Sequence, residues 1–214
     1  MKAFNYSKLC DRRFYDAMRP VGKLFFRNKF EYHYFGQKNI PSSGGFILAC
    51  NHFTALDPVY IGLGAANRQL HFMAKSELYE NPFVAFAFTR LNAFPVRRGM
   101  LDKEAFEYAV RVAKQGYALA MFPEGTRSKT FEPQRAKHGA ARIAYEAKVP
   151  VLPVSIYTAD EMKPHTKLTI RYGELITFEE MGFGTETPDR EKIVEVSDMI
   201  MERITNLWRQ GHCE

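Results

Sequence analysis

His52 and Asp57 stand five positions apart in Asn51-His52-Phe53-Thr54-Ala55-Leu56-Asp57-Pro58, directly after the apolar run Phe46-Ile47-Leu48-Ala49-Cys50. An imidazole held by a carboxylate is a means of taking a proton from a hydroxyl. The four intervening residues form a turn short enough for Asp57 to reach back to His52. The apolar run follows Ser42-Ser43-Gly44-Gly45 and predicts a buried strand. His52 then falls at the strand end, where α/β sheets carry their chemistry. Asp57-Pro58 predicts a helix start with Asp57 at the N-cap and Pro58 at the first helical position. The same pair would also serve as a hydrogen-bonded strand-end histidine and a plain helix cap, so the decision rests on the rest of the chain.

Three more segments carry reactive or ligand-binding types. Asn92-Ala93-Phe94-Pro95-Val96-Arg97-Arg98-Gly99 is a short apolar stretch ending in two guanidinium groups and a glycine. Paired arginines at a strand end suit a phosphate, since each offers forked donors to its oxygens; a solvated charge pair is the other reading. Adjacent strand residues point to opposite faces, so only one of Arg97 and Arg98 reaches a phosphate if the geometry stays extended. Phe122-Pro123-Glu124-Gly125-Thr126-Arg127-Ser128 follows the apolar Ala118-Leu119-Ala120-Met121. Glu124 there can orient a substrate hydroxyl or another side chain of the site, and Gly125 lets the backbone approach a ligand. Thr126 and Ser128 offer donors, and Arg127 offers a cation. Lys137-His138-Gly139 opens a predicted helix, a place for an anion or a plain surface lysine. Val149-Pro150-Val151-Leu152-Pro153 holds no reactive group and reads as a buried strand that lines or supports a pocket. Cys50 shares a strand face with His52, but an apolar, non-helical setting raises a thiol's pKa, so Cys50 reads as a small buried residue.

The elements that must position these residues alternate along the chain. Strands are predicted at 45–50, 70–74, 93–96, 118–122, 151–156 and 168–172, and helices at 58–66, 77–89, 103–114, 139–147 and 190–210. Asp102 is a suitable N-cap for the third helix, and Gly116 lies just past its end. The last helix carries Ile193, Val196, Ile200, Ile204 and Leu207 at helical spacing, which marks a core-facing stripe. Repeated strand–helix units imply an α/β fold with a mainly parallel central sheet flanked by helices.

Composition adds a compartment and a surface. With 214 residues, 46% apolar and 25% charged, the chain is long enough for one domain with a full core. We divide it into an N-terminal segment, 1–35, and a main domain, 36–214. No apolar run approaches the roughly 18–20 residues that span a bilayer, and no apolar stretch after Met1 marks a signal peptide. Three scattered cysteines, Cys10, Cys50 and Cys213, show no metal spacing and point to a reducing cytoplasm. Residues 1–30 hold eight basic side chains against Asp11 and Asp16, which equals the whole formal net charge of +6. The same segment places Phe14, Met18, Val21 and Phe25 at helical period, widened by Leu24 and Phe26, with Pro20 kinking that helix or starting a second one. A basic amphipathic helix suits an anionic inner leaflet, giving peripheral attachment to the cytoplasmic face of the cell membrane. The competing reading packs the stripe on the domain and leaves a solvated basic face. No nucleic-acid motif accompanies the charge, so no nucleic acid is expected as a partner.

Taken in order, His52…Asp57, Phe94–Gly99, Phe122–Ser128 and Val149–Pro153 resemble the four blocks of the glycerolipid acyltransferase family, in particular the bacterial 1-acylglycerol-3-phosphate acyltransferases. The resemblance covers about residues 40–175, and its first and third blocks together are highly specific. It implies an enzyme that moves a fatty acyl group from a thioester, on coenzyme A or acyl carrier protein, to the free hydroxyl of lysophosphatidic acid, giving phosphatidic acid. No covalent enzyme intermediate is expected, in keeping with a chain that lacks a Gly-x-Ser-x-Gly elbow. The resemblance makes His52 the general base and Asp57 the residue that fixes its tautomer. It assigns the acceptor phosphate to Arg97, Arg98 and Arg127, in a site shaped by Glu124, Gly125 and Thr126. Neither a metal nor an organic cofactor is implied; the thioester carrier is a co-substrate.

Three other functions fit the same residues. The acceptor can be glycerol 3-phosphate or another lysophospholipid. His52 and Asp57 can activate water and hydrolyse a thioester. A non-catalytic lipid- or phosphate-binding protein would keep its role without His52.

Overall fold

The computed structural model describes residues 4–8, 12–26, 30–65, 67–97, 99, 102–159, 165–184 and 186–213. The chain runs α1 (Arg12–Phe26), β1 (Glu31–Phe35), β2 (Phe46–Cys50), α2 (Asp57–Gly64), β3 (Leu70–Lys75), α3 (Pro82–Arg90), β4 (Ala93–Val96), α4 (Lys103–Lys114), β5 (Ala118–Met121), α5 (Gly139–Ala147), β6 (Val151–Tyr157), β7 (Lys167–Tyr172) and α6 (Arg190–Trp208). Seven strands form one sheet in the order β1-β7-β6-β2-β5-β3-β4. All pairings are parallel except β6 with β7. The antiparallel pair follows from length: the nine residues between Tyr157 and Lys167 are too few for the crossover that parallel neighbours need.

The handedness of crossovers distributes the helices. β2–α2–β3 and β3–α3–β4 step toward the β4 edge, whereas β4–α4–β5 and β5–α5–β6 step back. Right-handed connections therefore place α2 and α3 on one face and α4 and α5 on the other. The core divides accordingly. On one side Ile47, Ala49, Leu119 and Val151 meet α4, α5 and α6 through Val112, Ile143, Val196 and Ile200. On the other, Phe46, Leu48, Leu152 and Ile156 meet Tyr60 and Ile61 of α2. The stripe expected on α6 is buried at Ile193, Val196, Ile200 and Ile204. β2, the central strand, is fully buried, so its C-terminal end is rigidly held.

Three sequence expectations change. Glu31–Phe35, assigned above to the N-terminal segment, is a strand paired with β7, so the sheet begins at residue 31 and not after 35. Its half-exposed edge position gives it no buried alternation to read. The helix expected over 77–89 is a 3₁₀ turn, Ser76–Tyr79, followed by α3. The break lies at Asn81-Pro82, where the Asn81 side chain accepts from the Phe83 and Val84 amides and Pro82 takes a first-turn position. Asp57 is the first residue of α2 and not its cap; Leu56 holds the cap position, and no side chain caps the helix. The Asp57 carboxylate faces the preceding turn instead. Pro20, expected to kink this helix or start a second one, lies inside α1, so no second helix starts there.

α1 docks by a different face from its apolar stripe. Tyr15 is its buried residue and its hydroxyl accepts from the Leu70 amide. The ring-edge contact of Phe26 with Tyr60 fixes the other end. Val21, Leu24 and Phe25 remain exposed. Lys2, Cys10, Asp11, Arg27 and Lys29 lie outside the described residues.

Candidate active site

The parallel strands β2, β5, β3 and β4 end at one edge of the sheet, and the predicted site residues follow three of them. His52 follows β2, Glu124 follows the adjacent β5, and Arg97 follows β4 at the sheet's edge.

Asp57 does turn back on His52. His52 Nδ1 lies 2.7 Å from Asp57 Oδ2. A carboxylate facing N–H groups accepts, so this contact places the imidazole proton on Nδ1 and the lone pair on Nε2. The same Oδ2 accepts from the Phe53 amide at 2.8 Å and the Thr54 amide at 2.9 Å, and Oδ1 accepts from the Thr54 hydroxyl at 2.5 Å. Asp57 is fully buried, and these four donors satisfy a group whose burial would otherwise be costly.

The loop after β5 clamps His52 from the other side. The Glu124 carboxylate Oε1 accepts from the His52 amide at 3.0 Å. The Ser128 amide donates to the His52 carbonyl at 2.7 Å. The Phe122 ring stacks on the imidazole with centroids 4.0 Å apart and planes 18° from parallel. Of the two roles left open for Glu124, the geometry shows it holding a group of the site, through the main chain of His52. Asn51 fixes the strand end laterally, exchanging two hydrogen bonds with the Ile156 backbone on β6, at 2.9 and 2.8 Å. That bridge reaches β6 three residues beyond the fourth block, Val149–Pro153. The block's own Pro153 stands opposite Ala49 in the register.

Burial pushes the Glu124 carboxyl up to about 7, offset in part by the His52 amide and reinforced by Asp57. Its Oε2 is buried without a hydrogen-bond partner among the described residues. A folded-state value raised above the unfolded one stabilises most below the unfolded pKa, and that contribution fades as pH rises through about 7. Relative to Glu124→Gln, the native protein is therefore expected to lose roughly 3 kcal/mol of stability between pH 4.5 and 8. Parallel thermal melts of the two proteins across that range test this; curves that stay a constant distance apart would rule it out.

The remaining candidates divide. Gly125 has φ +72°, and a Cβ there would meet the Lys137 side chain at 2.8 Å. Lys137 therefore lies over this loop, and its amide bonds the Pro123 carbonyl at 2.8 Å. Thr126 and Arg127 are exposed at the loop tip, whereas Ser128 is buried with its hydroxyl against Thr130. Arg97 Nε lies 3.2 Å from Asp102 Oδ2, which also accepts from the Arg97 amide and caps α4 through the Ala105 amide. Three strand spacings separate β4 from β2, about 14 Å, so Arg127 is the nearer of the two arginines by topology. Arg98 lies outside the described residues. Cys50 is fully buried, and burial, with Asp57 and Glu124 nearby, drives its thiol pKa well upward, which removes it as a nucleophile. Sequence reasoning missed the Phe122 stack, the Asn51 bridge and the Thr54 hydroxyl. Only Thr54, three residues before an aspartate, left a local signal.

A buried carboxylate–imidazole pair with Nε2 free of hydrogen bonds among the described residues can accept a proton from a hydroxyl. Comparison with known proteins bears on which hydroxyl. The acyltransferase family model matches residues 31–157. A 1-acyl-sn-glycerol-3-phosphate acyltransferase of Bacillus subtilis is 28% identical over 176 residues, covering 81% of this chain and 86% of that protein. One from Streptococcus pneumoniae is 33% identical over 199 residues, covering 92% and 70%. The crystal structure of the 1-acyl-sn-glycerophosphate acyltransferase PlsC from Thermotoga maritima superposes with a TM-score of 0.70 at 25% identity, covering 94% of this chain and 85% of that one.

Proposed function

The chain belongs to the acyltransferase family, and on that premise we propose that it is the O-acyltransferase that converts 1-acyl-sn-glycerol 3-phosphate to phosphatidic acid in phospholipid biosynthesis. The observation that carries the mechanism is the 2.7 Å contact from His52 Nδ1 to Asp57 Oδ2 at the end of a buried strand. His52 Nε2 takes the proton of the sn-2 hydroxyl as its oxygen attacks the carbonyl carbon of an acyl thioester. The tetrahedral intermediate collapses with cleavage of the C–S bond. The imidazolium returns its proton to the leaving sulfur, giving phosphatidate and a free thiol. Asp57 holds the ring in the productive tautomer and faces the imidazolium while it exists. The donor is acyl-coenzyme A or acyl carrier protein, and the enzyme needs no further cofactor.

Arg127, exposed on the loop beside His52, is the first candidate for the acceptor phosphate, with Lys137 over Gly125 behind it and Arg97 toward the sheet edge. Arg127→Ala is expected to raise the KM for lysophosphatidate about tenfold or more, with a smaller change in kcat. An unchanged KM would move the phosphate elsewhere.

No helix among the described residues is long and apolar enough to cross a membrane. The exposed apolar residues and basic character of α1 support peripheral attachment to an anionic membrane face, which we take to be the cytoplasmic one.

The deciding experiment is acyl transfer from labelled acyl-coenzyme A and acyl carrier protein to lysophosphatidate, glycerol 3-phosphate, lysophosphatidylcholine or no acceptor. Product with lysophosphatidate alone is expected. Free fatty acid without an acceptor would instead make this a thioester hydrolase.

A further inference from the structure

We propose that α3 is a second membrane-contact element beside α1, and that together they seat one face of the molecule on the bilayer so that the acceptor lipid reaches His52 from that face. This rests on the lipid-acylating reading of the site and adds a surface to it.

Among the described residues, the exposed large apolar side chains fall in two short stretches only. Val21, Leu24 (70% exposed) and Phe25 lie on α1; Leu78, Phe83 (84% exposed), Phe86 and Leu91 lie on or beside α3. A water-facing surface scatters such residues singly, and clustering marks an interaction site. α3 is also unusual as a helix. Its sequence, PFVAFAFTR, carries no charge before Arg90, yet none of its residues is buried. A helix apolar on all sides belongs in an apolar surrounding, and the protein supplies only part of one, leaving Phe83 and Phe86 exposed.

The two stretches lie on the same side of the sheet. The crossover rule places α2 and α3 on one face. α1 packs on α2, with Gly22 close against Leu63 and the Tyr15 hydroxyl close beneath Gly62. Arg90, at the end of α3, stands over the Phe14 ring of α1 at 5.8 Å. Both clusters also lean toward the catalytic edge. α3 follows the C-terminal end of β3 after the Ser76–Tyr79 turn, and its first turn holds Phe83. The last turns of α1 hold Val21, Leu24 and Phe25, and Phe26 there packs on Tyr60 in the first half of α2, three residues after Asp57. A bilayer on this face keeps the acyl chain of the acceptor in lipid while its headgroup stands at the sheet edge.

Charge selects lipid over a second copy of the chain. Exposed Arg13 and Lys23 outnumber exposed Asp16 on α1, while beside α3 exposed Lys75 and Arg90 balance exposed Glu77 and Glu80, so the rim of the apolar residues is net positive at α1. Anionic headgroups complement that rim, whereas two copies docked on this face would oppose like charges.

The test uses the full chain and sedimentation with phosphatidylglycerol vesicles. Phe83→Asp/Phe86→Asp is expected to lower the partition coefficient at least tenfold, roughly the loss of one buried phenylalanine or more, as is Leu24→Asp/Phe25→Asp. All four positions are exposed, so melting temperatures should hold. Turnover of lysophosphatidate embedded in vesicles should fall in step, while a short-chain, monomeric lysophosphatidate is acylated at the native rate. Unchanged partition of the α3 variant overturns the proposal. So does a wild-type dimer that this variant dissociates without altering partition, since the face would then belong to a second copy. Failure of the wild type to acylate even the monomeric acceptor would defeat the functional reading, while vesicle partition would still judge the surface.

Discussion

Replacing His52 with alanine is expected to lower kcat about 10³-fold, within the range that general-base catalysis supplies, while lysophosphatidate still binds. The expectation follows from position. His52 Nε2 carries no hydrogen bond among the described residues, and Cys50, the nucleophile nearest in sequence, is fully buried with its thiol pKa driven up. Glu124, with its carboxyl pushed up to about 7, is the other group beside the strand end that can hold a proton at neutral pH, and its Oε1 is engaged by the His52 amide. The variant keeps Asp57 satisfied by the Phe53 and Thr54 amides and the Thr54 hydroxyl, so its fold should survive. Single-turnover rates, a melting curve and acceptor binding measured together separate chemistry from collapse. Near-native turnover would end the general-base assignment.

Asp57→Asn is expected to cost roughly a hundredfold in kcat with little effect on acceptor binding. The geometry dictates how the amide sits. Oδ2 faces three N–H donors, from His52, Phe53 and Thr54, while Oδ1 faces only the Thr54 hydroxyl, which can accept as well as donate. The amide oxygen therefore takes the Oδ2 position, the NH₂ turns to the hydroxyl, and the His52 tautomer is preserved. What is lost is the negative charge opposite the imidazolium. Asp57→Ala should do more, leaving two amides and a hydroxyl without their acceptor and destabilising the fold by several kcal/mol. The comparison distinguishes charge from scaffolding: near-native turnover in the Asn variant beside a low rate in the Ala variant would mean that Asp57 acts only as a structural anchor.

Much of the frame was legible because it is written in short-range pattern. The apolar runs of β2, β5 and β6, the Asp102 cap of α4 and the buried stripe of α6 each need only a local window. What failed locally was marked by context. Glu31–Phe35 carries two tyrosines, a histidine and a glutamate, and becomes a strand because Lys167–Tyr172 offers an edge to pair with. The apolar stripe of α1 was visible, but not that Tyr15 and Phe26 turn the helix so that Val21, Leu24 and Phe25 face outward.

The same division runs through the site. The sequence offered the His52–Asp57 pair, because only four residues separate the two between a strand end and a helix start, and the later blocks favoured it over a plain cap. It also identified Glu124 and Arg127 as residues that no plain turn would require. Only the tertiary structure decided what Glu124 does. That carboxylate lies 72 positions from the His52 amide it holds, and they meet because β5 pairs with β2 rather than with some other strand. Strand order is a property of the whole packed sheet, set by crossover handedness and by which faces bury together. No window of the sequence contains it.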